Sequence, residues 1–347
     1  MKTKCAIMVE CNQPLQIKEV ELPPLKEGQV LVKVLYSGVC HSQLNEIKGN
    51  KGEDKFLPHM LGHEGSGIVE EIGPNVTKVA KGDQVVLTWI KSEGKDVSSS
   101  EYHLENGATI NSGAISTFSQ FSVISENRVV KAPATLPPKP AALLGCAIPT
   151  GAGIIKNEMN LQKHHSLAIF GLGGIGLSAL LYAGSIGCST IIAIDVNPSK
   201  LLLATEWGAS QVINAKAEDP VLAIKKLIPG GVDFAMEATG VKTAMEAAYA
   251  AIKDQGMVVI AGNLKKGETI NIDPFDLIKG KKIVGTWGGH TNVNRDIMHY
   301  AELYLQRKFK FEKLISATYN LENINQAFSD LESGKVVRAI VDCQDEK

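Results

Sequence analysis

A glycine-rich turn between two apolar runs carries the clearest chemical signal in this sequence. The turn follows the strand-like run Leu-Ala-Ile-Phe and opens an apolar helical stretch, and a second apolar run then ends on Asp195. This order is the dinucleotide-binding fingerprint, in which glycines permit a tight turn, close approach of a pyrophosphate and packing of the helix on its strand. The helix N-terminus supplies the anion site. We therefore expect the cofactor to contact Gly171, Gly173, Gly174, Ile175 and Gly176.

The acid that closes this motif predicts which dinucleotide binds. Asp195 is placed to accept hydrogen bonds from the adenosine ribose, and its charge would repel a 2′-phosphate, so NAD is favoured over NADP. A membrane span is the alternative interpretation of residues 166–194, which carry no charged side chain. Six glycines interrupt that segment, and no second span or basic flanking cluster appears. We predict a strand, turn, helix and strand buried between layers.

The composition of the chain excludes several classes of protein. Its 36 Lys and Arg and 37 Asp and Glu leave a net charge of -1, and no basic patch points to nucleic acid or an anionic membrane surface as a partner. Six scattered cysteines do not resemble a secreted disulfide framework, so free or metal-bound thiols are expected. The N-terminal apolar run is too short for a signal peptide, which predicts a cytoplasmic protein.

Two patterns follow each other along the 347 residues and predict two domains of an α/β protein. Up to about Pro140, short alternating runs separated by turn residues predict a β-rich, barrel-like unit. From Ser166 to about Gly289, strands alternate with helices, which predicts a doubly wound parallel sheet. We assign the tail to the first domain, so the predicted bounds are 1–149 with 290–347, and 150–289. Residues 90–116 are expected to form a long loop, either a lid, a flexible lobe or solvated surface.

Cys40, His63 and Cys146 offer the ligand types that zinc prefers. They lie far apart in the sequence, and a buried structural cysteine is common, so their spacing alone does not assign them to a metal. However, Cys40, the Gly62-His63-Glu64-x-x-Gly67 run, Cys146 and the glycine fingerprint occur in this order. In this respect the chain closely resembles the zinc-dependent medium-chain alcohol dehydrogenases over nearly its whole length.

The resemblance implies a fold and a role for individual residues. The fold would be a GroES-like catalytic domain interrupted by a Rossmann domain that binds NAD. Cys40, His63 and Cys146 would bind one catalytic zinc ion per chain, with Glu64 behind the metal. Further roles implied by the family pattern are proton transfer by Ser42, a wall of the substrate pocket at Trp89, and cofactor binding by His41, Thr150, Lys200 and Arg338.

The chain departs from the family pattern at three places. No cysteine occurs between Thr88 and Phe118, so the structural zinc of many relatives is not expected. Asn45 stands where a histidine commonly accepts the proton, and we hypothesise that the proton leaves through Ser42 and the ribose hydroxyls to water. Residues 111–113, Asn-Ser-Gly, align where bulky apolar residues often narrow the cavity, which predicts a roomier and more polar substrate pocket.

The function implied by this resemblance is hydride transfer between NAD and a primary or secondary alcohol or polyol and its aldehyde or ketone. Zinc would act as a Lewis acid. Two alternatives stay open. The first is a zinc-independent quinone or enone reductase, although the three retained ligands argue against it. The second is a non-catalytic NAD-binding protein, which the replacement of the relay histidine by Asn45 leaves possible. The expected partners are a small-molecule substrate and further copies of the chain in a homodimer or homotetramer, with residues 269–272 as an edge strand at the interface.

Overall fold

The computed structural model describes residues 1–265 and 267–344, which form two compact units. The first, called here the β-rich unit, contains Met1–Cys146, Asn292–Arg307 and the chain from Glu312 onward. The second, called the parallel-sheet unit, contains Ala147–Thr291 and Lys308–Phe311. Phe309 and Phe311 are fully buried, with ring centroids 5.3 Å apart, and Phe309 also lies edge-on to Tyr182 at 5.4 Å. This aromatic contact explains why four residues of the tail belong to the parallel-sheet unit.

The strands in chain order are β1 Lys2–Met8, β2 Gln16–Glu21, β3 Gln29–Gly38, β4 His59–Met60, β5 Glu64–Ile72, β6 Gln84–Thr88, β7 Glu101–His103, β8 Thr109–Asn111, β9 Phe121–Ser125, β10 Val129–Lys131, β11 Ser166–Phe170, β12 Thr190–Asp195, β13 Gln211–Asn214, β14 Val232–Glu237, β15 Ile252–Ile260, β16 Lys282–Gly285, β17 Ile315–Asn320 and β18 Arg338–Asp342.

The α-helices are α1 His41–Ile47, α2 Pro138–Ala141, α3 Ala147–Gly153, α4 Gly174–Ser185, α5 Pro198–Glu206, α6 Pro220–Leu227, α7 Lys242–Ala251, α8 Pro274–Ile278, α9 Val293–Leu305 and α10 Ile324–Glu332. A π-helical turn, Ile154–Glu158, follows α3 directly. No helix within the described ranges has the length and apolar character that crossing a membrane would require.

The β-rich unit contains a small closed barrel and a larger sheet. The barrel runs β1-β2-β7-β8-β4, and the sheet runs β10-β6-β5-β3-β18-β17 with β9 also paired to β3. Because β18 pairs antiparallel with β3, the tail of the chain completes this sheet. Every second residue in the first half of β3 is a valine whose side chain lies in the core. This core includes Phe118 and Phe328, whose rings pack edge-on.

The expectation of a long loop at residues 90–116 was wrong in part, because β7 and β8 lie within it and close the barrel. Tyr102 and Ile110 are buried at the centres of these strands, while their neighbours along each strand are polar. The Tyr102 hydroxyl also accepts a hydrogen bond from the Val123 amide at 2.7 Å. Three-residue strands with one inward side chain each are too short for an alternating pattern to be visible in the sequence.

The parallel-sheet unit has the strand order β13-β12-β11-β14-β15-β16, and every pair of neighbours is parallel. The apolar segment at 166–194 forms β11, α4 and β12, as predicted. β11 and β12 are buried along almost their whole length, as expected for strands covered on both faces. The α/β fold class is therefore confirmed. Residues 269–272 form no strand within this chain, whose outer strands in this sheet are β13 and β16.

Candidate metal and cofactor sites

Cys40, His63 and Cys146 come together in the β-rich unit, with their potential ligand atoms within 4.8 Å of one another. Each of the three residues lies in a segment that connects two secondary-structure elements, not within a helix or strand. Cys40 precedes α1, His63 lies between β4 and β5, and Cys146 follows a 3-10 turn and precedes α3. Three connections that are distant in sequence thus converge, which the spacing of the residues could not reveal.

Two glycines next to the cysteines make room for the buried carboxylate of Glu64. A Cβ atom at Gly38 would lie 2.5 Å from Glu64 Oε1, and one at Gly145 would lie 2.8 Å from Glu64 Cβ and 2.2 Å from the Leu87 carbonyl oxygen. The Thr88 hydroxyl donates a hydrogen bond to the Gly145 carbonyl at 2.7 Å, which fixes the backbone immediately before Cys146. Any larger residue at either position would displace Glu64 or the backbone.

A buried ion pair joins Glu64 to Arg338. The side chains of Glu64 and Arg338 are 0% and 4% exposed, and an Nη2 group of Arg338 donates a hydrogen bond to Glu64 Oε1. Burial alone would lower the pKa of Arg338, but the Glu64 carboxylate and the nearby cysteines outweigh it and raise that pKa above its ordinary value. The guanidinium therefore stays charged. The predicted contact of Arg338 with the cofactor pyrophosphate stays a prediction.

The two cysteines form a polarised pair. A hydrogen bond from the Cys146 thiol lowers the pKa of Cys40 well below its ordinary value, despite burial, and the positive charge of Arg338 acts in the same direction. The same hydrogen bond, together with burial, raises the pKa of Cys146. The two thiols therefore titrate as a pair. A divalent cation would displace their protons on binding, since metal ligation requires deprotonated thiols.

The donor set fits zinc in a catalytic site. The Nε2 atom of His63 is buried and has no hydrogen-bond partner in the described part of the chain, which leaves its lone pair available for a metal. Two cysteine sulfurs and one imidazole are a ligand set used by catalytic zinc ions, with the fourth position open to substrate. The thiolate charges offset the charge of the ion.

A cavity of about 710 Å³ is lined by His63 and by Gln43 of α1. Asn111, Ser112 and Gly113 line it as well, so the three residues predicted to make the pocket roomy lie on its wall. The volume lies within the usual range for small-molecule sites. Trp89, which we predicted to form a pocket wall, is not among the described residues that line this cavity. Its carbonyl instead accepts a hydrogen bond from Arg128.

Most of the cavity wall was not predicted from the sequence. The segment Lys51–Phe56, together with His59, Ser98 and Ser99, lines it. His59 Nε2 bonds to Asp54 Oδ2 at 2.8 Å and lies 3.9 Å from Glu46 Oε1, while Lys51 pairs with Glu46 at 2.8 Å. Because the members of this group already bond to one another, we describe it as a polar network of the wall. Such a polar segment has no hydrophobic period, so sequence reasoning had no signal for it.

The glycine-rich turn lies in the parallel-sheet unit between β11 and α4. Gly171 has a φ of 95°, and a Cβ at Gly176 would lie 1.9 Å from the Gly171 carbonyl, so both positions require glycine. Gly173 caps α4, where the first amides of the helix point toward a prospective anion. α3, which carries the buried Thr150, packs closely on this helix, because a Cβ at Gly151 would lie 2.3 Å from the Ile175 carbonyl.

Asp195 ends β12 beside the turn. Its carboxylate accepts hydrogen bonds from the Leu172 amide at 2.7 Å, the Val196 amide at 2.8 Å and the Asn197 amide at 2.9 Å. A cavity of about 690 Å³ is lined by Gly171, Asp195 and further residues at the carboxyl ends of the strands. Open parallel sheets bind nucleotides at this edge.

The remaining predicted residues are distributed over both units. His41 is exposed and Ser42 is half-buried in the first turn of α1, next to Cys40. Lys200 is half-buried in α5, close in sequence to Asp195. Asn45, which stands in place of a histidine, is exposed and accepts a hydrogen bond from Asn50 at 3.3 Å. The roles assigned to these residues stay predictions.

Comparison with protein families gives matches in both units. Residues 26–134 match the alcohol dehydrogenase GroES-like domain, and residues 174–304 match the zinc-binding dehydrogenase family. The chain is 33% identical to the S-(hydroxymethyl)glutathione dehydrogenase of Synechocystis sp., covering 98% of this chain and 100% of that protein. It is 32% identical, with the same coverage, to the S-(hydroxymethyl)glutathione dehydrogenase of Photobacterium damsela subsp. piscicida.

Solved structures with the same fold extend this comparison. An alcohol dehydrogenase zinc-binding domain protein from Burkholderia ambifaria has a TM-score of 0.94, and the benzyl alcohol dehydrogenase of Acinetobacter calcoaceticus has a TM-score of 0.90. Each is 32% identical, with 99% of this chain and 100% of that chain covered. The chain therefore belongs to the zinc-dependent medium-chain alcohol dehydrogenase family, and it is an oxidoreductase of the class that uses a catalytic zinc ion and NAD.

Proposed function

We propose that the β-rich unit is the catalytic domain, with zinc bound by Cys40, His63 and Cys146, and that the parallel-sheet unit binds NAD through the Gly171–Gly176 turn and Asp195. In the oxidative direction, a hydride leaves the carbinol carbon for NAD⁺ and the hydroxyl proton leaves for water. The observation that carries this proposal is the convergence of the two thiols and the imidazole beside a cavity large enough for an organic substrate.

The residues around the ligands would hold the site in place and move the proton. Zinc, when bound, supplies Lewis acidity that lowers the pKa of an alcohol substrate. The Ser42 hydroxyl would accept the substrate proton and pass it on, since Asn45 cannot titrate. Glu64 and Arg338 would keep the charge behind the cysteines balanced, because each neutralises the other in a buried environment.

The wall of the cavity supports a polar alcohol as the substrate. Residues with hydroxyl, amide, imidazole or charged side chains outnumber the apolar residues along this wall, whereas a short aliphatic alcohol would suit a narrow apolar pocket. A second candidate is oxidation of S-(hydroxymethyl)glutathione, the substrate named for two relatives. The charged residues Lys55 and Glu53 on the same wall favour that candidate, because glutathione carries both carboxylates and an ammonium group.

We also propose that the enzyme is a cytoplasmic homodimer or homotetramer that uses the outer strand β16 as an interface. Val284 on β16 is 37% exposed and Ile278 of the preceding helix is 79% exposed, so apolar surface flanks an open sheet edge. An edge strand with unpaired backbone groups favours pairing with another strand. Light scattering on the purified protein would give the mass, and a monomer at micromolar concentration would contradict this part of the proposal.

Cobalt substitution tests the ligand assignment without requiring a substrate. Co²⁺ in a site with two thiolates has strong sulfur-to-metal charge-transfer bands, which should appear in the native protein at one ion per chain. His63→Ala and Cys146→Ser should each lose bound metal, while Cys188→Ser, a change at a buried cysteine of the other unit, should bind it normally. If both ligand variants bound metal as well as the native protein, the results would instead favour the zinc-independent reductase or a non-catalytic NAD-binding protein.

A further inference from the structure

An exposed aromatic ring, that of Phe56, lies on the wall of the cavity that also contains His63. The side chain is 72% exposed, among the highest values for a large apolar residue in the described chain. Single exposed apolar residues are common on protein surfaces and need no explanation by themselves. Phe56 differs from them because it lines the same cavity as His63 and its backbone is held there by specific hydrogen bonds.

The backbone on both sides of the Phe56 ring is anchored. The Phe56 amide donates a hydrogen bond to Asp54 Oδ1 at 2.9 Å, and Asn111 Nδ2 donates one to the Phe56 carbonyl at 2.9 Å. Asp54 is held in turn by His59, at 2.8 Å. Asp54, Asn111 and His59 all line the cavity as well. The ring is therefore presented by a built wall of the cavity and not by a free loop.

Polar groups that can bind hydroxyls line the same cavity as this ring. Ser98 and Ser99 line the same cavity, and a serine hydroxyl both donates and accepts hydrogen bonds. Glu53 and Lys55, also on the wall, have no ion-pair partner within the part of the chain that the structure describes. One carboxylate, one ammonium group and two hydroxyls thus line the same cavity as the aromatic ring. Glu53 and Lys55 have opposite charges and together add no net charge, so the wall can hydrogen-bond a neutral ligand with many donors and acceptors as well as a zwitterionic one.

Cyclic sugars match this combination of surfaces. A pyranose ring has one face of C–H groups, which carry a slight positive charge and pack on the negative face of an aromatic ring. Its edge carries hydroxyls that donate and accept hydrogen bonds. An acyclic polyol has the hydroxyls without a continuous apolar face. The cavity volume of about 710 Å³ also exceeds what a short alcohol needs.

We propose that the substrate of this enzyme is a cyclic sugar or sugar derivative, whose ring packs on Phe56 while its hydroxyls bind the polar side chains of the same wall. This inference rests on the proposed function and names the substrate class of the same site. Phe56 is then a specificity-determining residue that contacts the substrate without taking part in hydride or proton transfer.

The test compares ligands that differ in ring closure, with zinc-loaded enzyme and NAD. Methyl glycosides of D-glucose, D-mannose and D-galactose are measured as substrates and as competitive inhibitors of the oxidation of whichever simple alcohol, from ethanol to benzyl alcohol, the enzyme turns over. D-Sorbitol serves as the acyclic counterpart. At least one glycoside should have a KM or inhibition constant below that of sorbitol. Phe56→Ala should raise that constant about 3- to 10-fold, the loss expected for one aromatic contact, without changing kcat. Phe56→Trp should restore it.

A matched control variant distinguishes a failure of this inference from a failure of the proposed function. Leu222→Ala, which removes a similarly exposed apolar side chain (70%) in the other unit, should leave all constants unchanged. The inference is overturned if sorbitol binds as well as every glycoside, or if Phe56→Ala affects none of them, while zinc-dependent oxidation of the simple alcohol persists. Absence of NAD-linked turnover with any alcohol would instead contradict the proposed function.

Discussion

Replacing Arg338 by Met should destabilise the β-rich unit strongly, because the change leaves the buried carboxylate of Glu64 without its partner. Both side chains are at most 4% exposed, so solvent cannot compensate for the lost charge. Removing one member of a buried pair costs about 3–5 kcal/mol. For a unit of about 200 residues, each kcal/mol corresponds to about 2–4 °C, so Tm should fall by about 6–20 °C.

The assay is thermal unfolding of the zinc-loaded protein in the absence of NAD, so that the predicted pyrophosphate contact of Arg338 plays no part. The pKa of Arg338 is raised, so the native guanidinium stays charged over the whole accessible pH range. In the variant, Glu64 can escape its unpaired charge by binding a proton, and the penalty should therefore shrink as the pH falls. Adding Glu64→Gln to Arg338→Met should recover much of the lost stability, since neither charge remains.

An exposed ion pair in the same unit provides the control. Lys91 and Asp96 lie 2.7 Å apart, but their side chains are 64% and 44% exposed. Lys91→Met should change the stability by no more than about 1 kcal/mol, because water screens such pairs. The reasoning is refuted if Arg338→Met costs no more than this control, or if the double variant is less stable than the single one.

Three further predictions concern the cofactor, the proton and acid stability. Asp195→Ser should raise the ratio of NADP to NAD use by about tenfold or more in steady-state kinetics, because it removes the charge that repels a 2′-phosphate; an unchanged ratio would contradict the assignment. Asn45→His should increase turnover, with a pH dependence that follows the titration of the new imidazole. An unaltered pH profile would show that the substrate proton is not transferred through position 45. Burial raises the pKa of Asp233, but Lys253 and Ser166 outweigh it and lower that pKa to about 2. Its stabilising effect should therefore be complete above about pH 5 and shrink as the pH falls to 2. Thermal unfolding should show Asp233→Asn below wild type at pH 7 and a much smaller difference at about pH 2.

Local patterns predicted much of the fold because the physics that sets them is local. The alternation of strands and helices from Ser166 to about Gly289 formed the predicted parallel sheet, and the buried segment at 166–194 folded into the expected strand, helix and strand. Periodicity and turn residues suffice where a strand is long or wholly apolar. The same reasoning missed the short strands that contain Tyr102 and Ile110, because one buried residue per strand leaves no period to detect.

The candidate site was predictable by resemblance but not from spacing. Cys40, His63 and Cys146 come from three separate connections, and the pairing of Glu64 with Arg338 joins residues 274 positions apart. Such contacts depend on how the sheet closes and carry no local signature. The wall around Phe56 was missed for a different reason. Hydrogen bonds from the Asp54 and Asn111 side chains hold the backbone of Phe56 on this wall. The polar residues of the wall form no hydrophobic pattern that could be detected in the sequence.

The most direct test of the central claim is NAD reduction by the purified enzyme with alcohols, polyols and sugar derivatives, before and after removal and restoration of zinc. If zinc carries the reaction, turnover disappears with a chelator and returns when one zinc ion per chain is restored, while NAD binding by the metal-free protein persists. Turnover that is indifferent to the metal, or the absence of turnover in zinc-loaded protein that binds NAD, would contradict that claim.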